Sequence, residues 1–488
     1  ISTQSITGKV IKKIPAFLGE ADVIKSIQLL PGVTTVGEGA SGFNVRGGSI
    51  DQNLVLMDEA PIFNSAHLFG FFSIFNPDAV KDVQLIKGGI PANYGGRLSS
   101  VLDVITKDGN NKKYQANGGI GTIFSRGSIE GPIAKDKASF IIAGRRSYID
   151  VLAKPFLNDD LSGSRFYFYD LTAKVNYETA KDRFFLSTYI GDDIFYAANA
   201  FGVKWGNSTV TGRWNHVYND KWFSNITYYY SRYRYNLEFS NGNDLSFNWT
   251  SFINNNSLKA DFTYFANPKN QIGFGGQSTY YIFTPGNAVA TSSAGTNNFS
   301  LPNKYALENA VYLTEDYNSN GRFSIRVGLR VNQFLYLGKS KVYSYQNPIA
   351  EGQRKFVDSI WEVGSNEVIA SYFNPEPRLG FKYQLNRFSS IKGGYNRMVQ
   401  NLHLISNTAA SVPFDVWQPS TNNILPEKAD QYTIGYFRNF SIGKQDFESS
   451  IETYYKDLQN QVDYVDGANL LLNEFLEGEL ITGTGRAY

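Results

Sequence analysis

Three histidines are the side chains of this chain best suited to acid–base chemistry or metal binding: His67, His216 and His403. They lie far apart in sequence, and none stands at a spacing typical of metal ligands or beside a serine nucleophile motif. The chain contains no cysteine, which excludes disulfides, thiol catalysis and cysteine-based metal sites. The sequence therefore predicts no enzyme activity, no catalytic residue, no metal site and no cofactor.

One histidine stands in a segment that is rich in groups able to hold a ligand. The aromatic, imidazole and amide groups of this segment are Phe63, Asn64, His67, Phe69, Phe71 and Phe72. They could bind a ligand by stacking and hydrogen bonding. The phenylalanines could also pack a domain core or pack one domain against another, since buried aromatic residues are more often core than site. Both interpretations stay open at this stage.

Two further features bear on function, one on phosphate binding and one on nucleic-acid binding, and neither supports that function. The glycine-rich stretch Gly118–Gly121 is not followed by the Lys-Ser/Thr pair of a phosphate-binding loop, and its residues enter a strand. The net charge of +2 gives no bulk attraction for nucleic acid. We therefore expect no nucleic-acid partner.

Short polar turns recur along residues 114–488. The seven turns are Ala134–Lys137, Thr179–Arg183, Asn219–Lys221, Asn267–Asn270, Asn318–Gly321, Leu385–Arg387 and Gly443–Asp446. Much longer and less regular connections lie between them, for example 283–303, 337–370 and 403–428. This alternation of short turns and long connections predicts fourteen long strands paired into hairpins. The short turns would lie at one end of a barrel and the long loops at the other.

Apolar and polar side chains alternate along these segments. Ile325, Val327 and Leu329 would share one face of a strand, with Arg326 and Arg330 on the other. A soluble sandwich or propeller would also alternate, but 222–239 and 323–337 are about three times as long as a typical soluble strand. The 32 Tyr, 36 Phe and 6 Trp residues suit aromatic girdles at membrane interfaces. The predicted fold class is mainly β, a transmembrane antiparallel β-barrel that faces outer-membrane lipid.

Residues 1–110 follow a different pattern and predict a small α+β domain ahead of the barrel at 111–488. A helix is expected over 18–29, ended by Pro31-Gly32, with short strands at 54–57, 83–86 and 101–106. Pairs of glycines mark tight turns or close approaches between segments.

Five segments of this first domain resemble the plug domain of TonB-dependent outer-membrane transporters. They are Ser26–Val33, Phe43–Gly48, Leu54–Pro61, Val80–Gly89 and Tyr94–Gly96. Their order and spacing match throughout, and 374–381, 394–397 and 424–436 look like barrel segments of the same family. The sequence resembles the Bacteroidetes type and is not close to the glycan-importing SusC subgroup.

The resemblance implies roles for particular plug residues. Structural turns that meet the barrel or neighbouring plug turns are expected at Arg46, Gly47, Gly48, Lys87, Gly88, Tyr94, Gly95, Gly96 and Arg97. Two loops are expected at the extracellular face of the plug as candidate ligand contacts. One is Phe63–Phe72, and the other contains Glu38 and Ser41.

The resemblance also implies a larger barrel than the predicted fourteen strands. A plug of this size needs a lumen of about 22 strands. Gly483–Tyr488 reads as the start of a fifteenth strand, so we expect further hairpins beyond residue 488.

The implied function is active import of a scarce or bulky ligand across the outer membrane of a Gram-negative bacterium. The implied partners are TonB with its inner-membrane energising complex, an extracellular small or medium-sized ligand and, as a further option, a surface lipoprotein or outer-membrane complex. A ferric siderophore is the commonest cargo of such proteins, ahead of oligosaccharides, cobalamin and peptides. The alternative hypothesis is a structural or assembly subunit that keeps the fold but does not transport.

Overall fold

The structure is a computed structural model. It describes residues 3–14, 21–35, 42–156, 163–197, 201–241, 245–293, 295–319, 321–346, 352–406, 415–470 and 473–488. A small mixed domain within residues 3–106 is followed by one large antiparallel sheet within residues 115–487. In the described ranges no helix has both the length and the apolar character needed to cross a membrane.

The first domain is built on a five-stranded sheet with the order β1-β8-β9-β4-β5, in which β4 and β9 run parallel and the other neighbours antiparallel. Its elements are β1 (Thr3–Thr7), α1 (Gly8–Ile11), α2 (Val23–Gln28), β2 (Val33–Thr34), β3 (Asn44–Val45), β4 (Asn53–Met57), β5 (Ala60–Pro61), β6 (Ala66–His67), β7 (Phe72–Ser73), β8 (Val80–Ile86) and β9 (Ser100–Thr106). Its core contains the buried side chains of Val23, Ile27, Phe75, Val83, Leu102 and Val104.

The predicted helix of this domain corresponds to α2 and is shorter than predicted. It begins at Val23, because the side chain of Asp22 accepts a hydrogen bond from Lys25 N (2.9 Å) and caps the first turn. It ends at Gln28, shortly before Pro31. Residues 18–20 of the predicted helix lie outside the described ranges.

The second part is a wall of long strands. Its elements are β10 (Gln115–Ile120), β11 (Phe124–Ala134), β12 (Ala138–Ser147), α3 (Ile149–Ala153), β13 (Arg165–Glu178), β14 (Asp182–Ala197), β15 (Phe201–Val217), β16 (Trp222–Asn241), β17 (Leu245–Asn267), β18 (Asn270–Ser292), β19 (Gly295–Ser300), β20 (Lys304–Ser319), β21 (Phe323–Leu337), β22 (Ser340–Tyr345), β23 (Val357–Val363), β24 (Val368–Asn386), β25 (Ser389–Gln400), β26 (Leu402–Ile405), β27 (Val416–Pro419), β28 (Glu427–Ile442), β29 (Gln445–Tyr464) and β30 (Leu480–Ala487). Short 3-10 helices lie at Ile50–Gln52, Leu68–Gly70, Lys154–Phe156 and Leu476–Glu479.

The predicted hairpins are confirmed. Each of the seven short turns joins two long antiparallel strands, and β30 forms where the fifteenth strand was expected. The prediction of fourteen strands was nevertheless too low, because the sheet has seventeen strands within the described residues. Apart from β30, which was expected as a fifteenth strand, the additional strands are β10, whose central glycines carry no apolar pattern, and β19, which is polar and exposed.

The long connections are more regular than the sequence suggested. Segment 283–303 contains the end of β18 and its pairing with β19, while 337–370 contains the β22–β23 hairpin and 403–428 contains most of the β26–β27 hairpin. These hairpins all lie at the same end of the wall, which we call the long-loop end. The opposite end is the short-turn end.

Apolar and polar side chains alternate along the strands and so lie on opposite faces of the wall, as predicted. Val327 and Leu329 on β21 are 51% and 46% exposed, whereas Arg330 is 3% exposed. The N-terminal domain packs against the inner face, where Arg330 and Arg378 donate hydrogen bonds to plug carbonyl groups. It therefore occupies the position of a plug, and the connection from β9 to β10 contains the predicted boundary at residue 110.

Candidate functional site between the plug and the barrel wall

The turn between β4 and β5 carries two carboxylates to the barrel wall. Asp58 and Glu59 both have positive φ, 46° and 74°, as a tight two-residue hairpin turn requires. Lys174 Nζ on β13 lies 3.4 Å from Asp58 Oδ1, and Arg213 on β15 lies 3.0 Å from Glu59 Oε1. Lys259 Nζ on β17 lies 3.7 Å from the other oxygen of Glu59. One plug turn is therefore held by cations from three barrel strands.

His67 belongs to a second buried ionic cluster. Its Nδ1 lies 2.6 Å from Asp193 on β14, and its Nε2 lies 3.3 Å from Asp170 on β13. Arg145 on β12 binds the same Asp170 at 2.7 Å, and Phe168 stacks on the imidazole with 4.2 Å between ring centroids. Burial by itself lowers the pKa of His67, but the charges and hydrogen bonds of the two aspartates outweigh it, so that the pKa is raised. The cluster favours an imidazolium that joins the plug to the wall.

The turn around Arg46 contacts the wall on another side. The Arg46 guanidinium donates to Glu452 on β29 (2.9 Å), to Thr433 on β28 (3.2 Å) and to the carbonyl oxygen of Lys87 (3.0 Å). Lys87 in turn donates to the carbonyl oxygen of Pro31 at 2.5 Å. A Cβ atom on Gly88 would lie 2.5 Å from Arg46 Nη1, so a larger residue here would require the end of the Arg46 side chain to shift. Gly47 and Gly48 follow Arg46 in the same turn, and Gly47 has a positive φ of 68°.

The turn Tyr94–Arg97 lies against β20, β21 and β24. Arg378 donates to the carbonyl oxygen of Tyr94 (2.7 Å), and the hydroxyl of Tyr94 donates to Asp103 (3.0 Å). Burial, followed by the charge of Glu59, raises the pKa of Asp103 to about 6. Gly95 packs directly on the guanidinium of Arg330, and Gly96 has a positive φ of 81°.

Between these attachments lies a cavity of about 880 Å³. Its lining extends from the short turn Thr179–Arg183 to Phe63 and Arg97 of the plug, and its barrel side is formed by β13–β18, β20 and β21. Nine acidic and nine basic residues line it, so the charges balance. A ligand pocket typically measures about 300–1000 Å³, and the cavity has that size.

The predicted aromatic loop is largely packed. Phe69 contacts Trp205 on β15, with 4.7 Å between ring centroids, and Phe72 contacts Phe124 on β11 at 5.3 Å. Phe71 is 43% exposed. The backbone oxygen of Asn64 accepts from Asn207 (2.7 Å). Ligand contact by this loop stays a prediction.

Phe63 and Arg97 meet under the β26–β27 hairpin. The ring of Phe63 lies 5.2 Å from that of Trp417, edge to face, and Arg97 lies 5.1 Å over the same indole. Glu38 and Ser41, the other predicted ligand contacts, lie outside the described residues.

Sequence reasoning missed the barrel partners of the plug. Trp417, Asp193, Asp170, Lys174 and Lys259 were not singled out. Strand alternation could have placed Asp170, Lys174, Asp193 and Lys259, which lie on long barrel strands, on the inner face. It could not have shown which plug turn each one meets, because that depends on contacts between residues more than 100 positions apart.

The fold and this interface define a plugged antiparallel barrel. Residues 1–101 match the TonB-dependent receptor plug domain, and residues 150–479, more than half of the chain, match the TonB-dependent receptor-like β-barrel. The chain belongs to the TonB-dependent receptor family.

Solved structures show the same fold at low sequence identity. The Pseudomonas aeruginosa siderophore receptor PirA has 14% identity and a TM-score of 0.64, over 99% of this chain and 78% of PirA. The Serratia marcescens hemophore receptor HasR, solved with its hemophore HasA and heme, has 11% identity and a TM-score of 0.65, over 95% of this chain and 74% of HasR. The Yersinia pestis ferric yersiniabactin uptake receptor FyuA has 12% identity and a TM-score of 0.63, over 95% and 73%. No curated protein matches the chain significantly in sequence.

Proposed function

We propose that this chain imports a ligand across the outer membrane of a Gram-negative bacterium, with residues 1–110 as the gate and residues 111–488 as part of the barrel. TonB and its inner-membrane complex would supply the energy, because an outer membrane has neither ATP nor a sustained ion gradient of its own. A non-transporting scaffold is the competing proposal.

The observation that carries this proposal is the chemistry of the plug–barrel contact. On the side of β13–β17 the plug is held to the wall by ion pairs from several strands, including those of Glu59 and His67. Such contacts can be exchanged for contacts with water, whereas a continuous apolar interface would resist separation. An interface of this kind suits a plug that must move and then reseat.

A ferric siderophore is the cargo we favour. The support is the aromatic cluster at the long-loop end, where Trp205, Tyr233 and Trp417 of the barrel pack with Phe63 of the plug. Aromatic rings suit a bulky, partly planar ligand. Two of the structural neighbours are named as a siderophore receptor and as a ferric yersiniabactin uptake receptor.

Uptake assays test the proposal directly. A deletion strain should lose uptake of one ligand among ferric siderophores, cobalamin, oligosaccharides and peptides, and a plasmid copy should restore it. A proton uncoupler should stop the restored uptake. The scaffold proposal would gain if no ligand shows uncoupler-sensitive uptake while the protein co-purifies stably with other outer-membrane components.

A further inference from the structure

The plug is fixed tightly to one side of the wall. On β25, β28 and β29, Gln400 donates to Asp51 (2.8 Å), Gln431 to the carbonyl oxygen of Lys87 (3.2 Å) and Lys456 to Ser99 (3.0 Å). Gln400, Gln431 and Lys456 are buried, as is Arg378 on β24, which binds the turn at Tyr94. This side of the interface is dry and close-packed. Its separation would leave several polar groups without partners at once.

A second attachment lies at the other edge, above the cavity. His67 is bound by Asp170 and Asp193 on β13 and β14, and Arg145 on β12 donates to the carbonyl oxygen of Ser73 (2.9 Å). Strands β15–β20, which lie between these two groups of contacts and carry ion pairs and hydrogen bonds to the plug of their own, form most of the barrel side of the cavity.

The cavity on this middle side is polar. Asn255 on β17 lines it and is 0% exposed, yet neither its amide nitrogen nor its amide oxygen has a hydrogen-bond partner among the described residues. Across the cavity, Arg213 on β15 and Lys259 on β17 reach the plug with the ends of their long side chains, both at Glu59. A polar space of this volume has room for water.

A thin layer closes the cavity towards the long-loop end. A second cavity of about 40 Å³ lies beyond it, lined also by Phe43, Asp51, Tyr233, Asp415 and Trp417. Leu54, Pro61, Phe63 and Arg97 line both cavities, so one layer of plug side chains separates them. We call these four residues the partition. Its contact with β16 is a hydrogen bond from Ser231 Oγ to the carbonyl oxygen of Pro61 (2.6 Å).

We infer that cargo crosses along β15–β20 by displacement of the partition, while the plug stays attached to β24–β29. The inference rests on the proposed function and adds a route and a set of moving residues. A cavity of about 880 Å³ already holds a drug-sized ligand. Opening the partition would connect it to the long-loop end, and the dry contacts of Ser99 and Lys87 would not need to break.

Cross-linking tests the route, because the chain has no cysteine of its own. One double variant, Pro61→Cys with Ser231→Cys, ties the partition to β16. The matched control, Ser99→Cys with Lys456→Cys, ties the plug to β29. A short bis-methanethiosulfonate reagent bridges each pair in cells, and a reducing agent releases it. We expect the first tether to lower uptake at least about tenfold, reversibly, and the second to change it less than about twofold.

The opposite results overturn the inference. Loss of uptake with the Ser99–Lys456 tether would mean that the whole plug leaves its seat, and normal uptake with the Pro61–Ser231 tether would place the route elsewhere. Phe63→Cys with Trp417→Cys replaces the first pair if that variant assembles poorly. Absence of uptake in the protein without any cysteine would refute the proposed function instead.

A labelling experiment tests the route without transport. A charged thiol reagent added outside the cell should label Asn255→Cys several times faster when Phe63→Ala is also present, because the substitution opens the partition. Ser99→Cys on the dry side should stay protected with or without Phe63→Ala. Equal gains at both positions, or none at Asn255→Cys, would show that the partition does not separate the cavity from the outside.

Discussion

At the scale of single residues, position in the interface decides what a side chain does. His67 was singled out from sequence as a candidate ligand contact, and its imidazole lies between two buried aspartates. No local signal distinguishes these roles, because Asp170 and Asp193 stand more than 100 positions away in the chain. The glycine turns were more predictable, since tight turns and close contacts between backbone segments favour glycine, which is visible in the sequence.

The raised pKa of His67 predicts that the plug is held more firmly in acid than in alkali. The stabilisation from protonated His67 is complete below its unfolded pKa of about 6.5 and is lost as pH rises through the higher folded pKa. We expect protease to release the plug of purified protein faster at about pH 9 than at about pH 6. His67→Gln should remove this difference and weaken the plug by about 3–5 kcal/mol at low pH. His216→Gln, at a short turn, is the control and should keep the pH dependence.

Gly88 gives a second prediction at this scale. Gly88→Ala would push a Cβ atom against Arg46 and displace it from Glu452 and Lys87, at a cost of about 1–3 kcal/mol. Gly212 on β15 has open space around the corresponding position, so Gly212→Ala is the matched control. Thermal unfolding of the two variants should show a lower midpoint for Gly88→Ala alone. Equal midpoints would mean that the Arg46 side chain accommodates the added methyl group without loss of stability.

At the scale of elements, the long strands were predictable and the plug helix was less so. Alternation and length identify strands such as β21, whose observed bounds, Phe323–Leu337, are those expected. β10 lacked the signal because its glycines offer no apolar face. The hairpins at the long-loop end were missed for a related reason, since β22 and β26 have only six and four residues.

The register of β21 predicts different tolerance at two neighbouring positions. Val327 faces outwards, whereas Arg326 is on the inner face and pairs with Asp316 at 2.5 Å. An arginine at the lipid midplane costs about 2–4 kcal/mol, so Val327→Arg should reduce the amount of assembled barrel well below that of Arg326→Ala. Quantifying folded protein in outer-membrane fractions checks this. Equal amounts of the two variants would contradict the register.

At the scale of the whole molecule, a plug inside a barrel could be predicted from the sequence. Which barrel strands hold the plug most tightly could not. The order of plug segments and the hairpin rhythm are patterns along the chain. The attachment of the plug to β24–β29 depends on pairs such as Arg46 and Glu452, which are 406 positions apart. A single sequence does not show which residues form contacts over such distances along the chain.

Removal of the plug should therefore leave a barrel that assembles but leaks. In a protein lacking residues 1–108, the inward-facing Arg330 and Arg378 lose plug partners but gain water, and Arg378 still pairs with Glu376 of the barrel at 2.8 Å. A barrel of this size without its plug would hold an aqueous channel. We expect large antibiotics to enter cells with the deletion faster than cells with the intact protein, and any ligand uptake to become insensitive to an uncoupler. Unchanged permeability with a full amount of assembled barrel would show that the plug is not the gate.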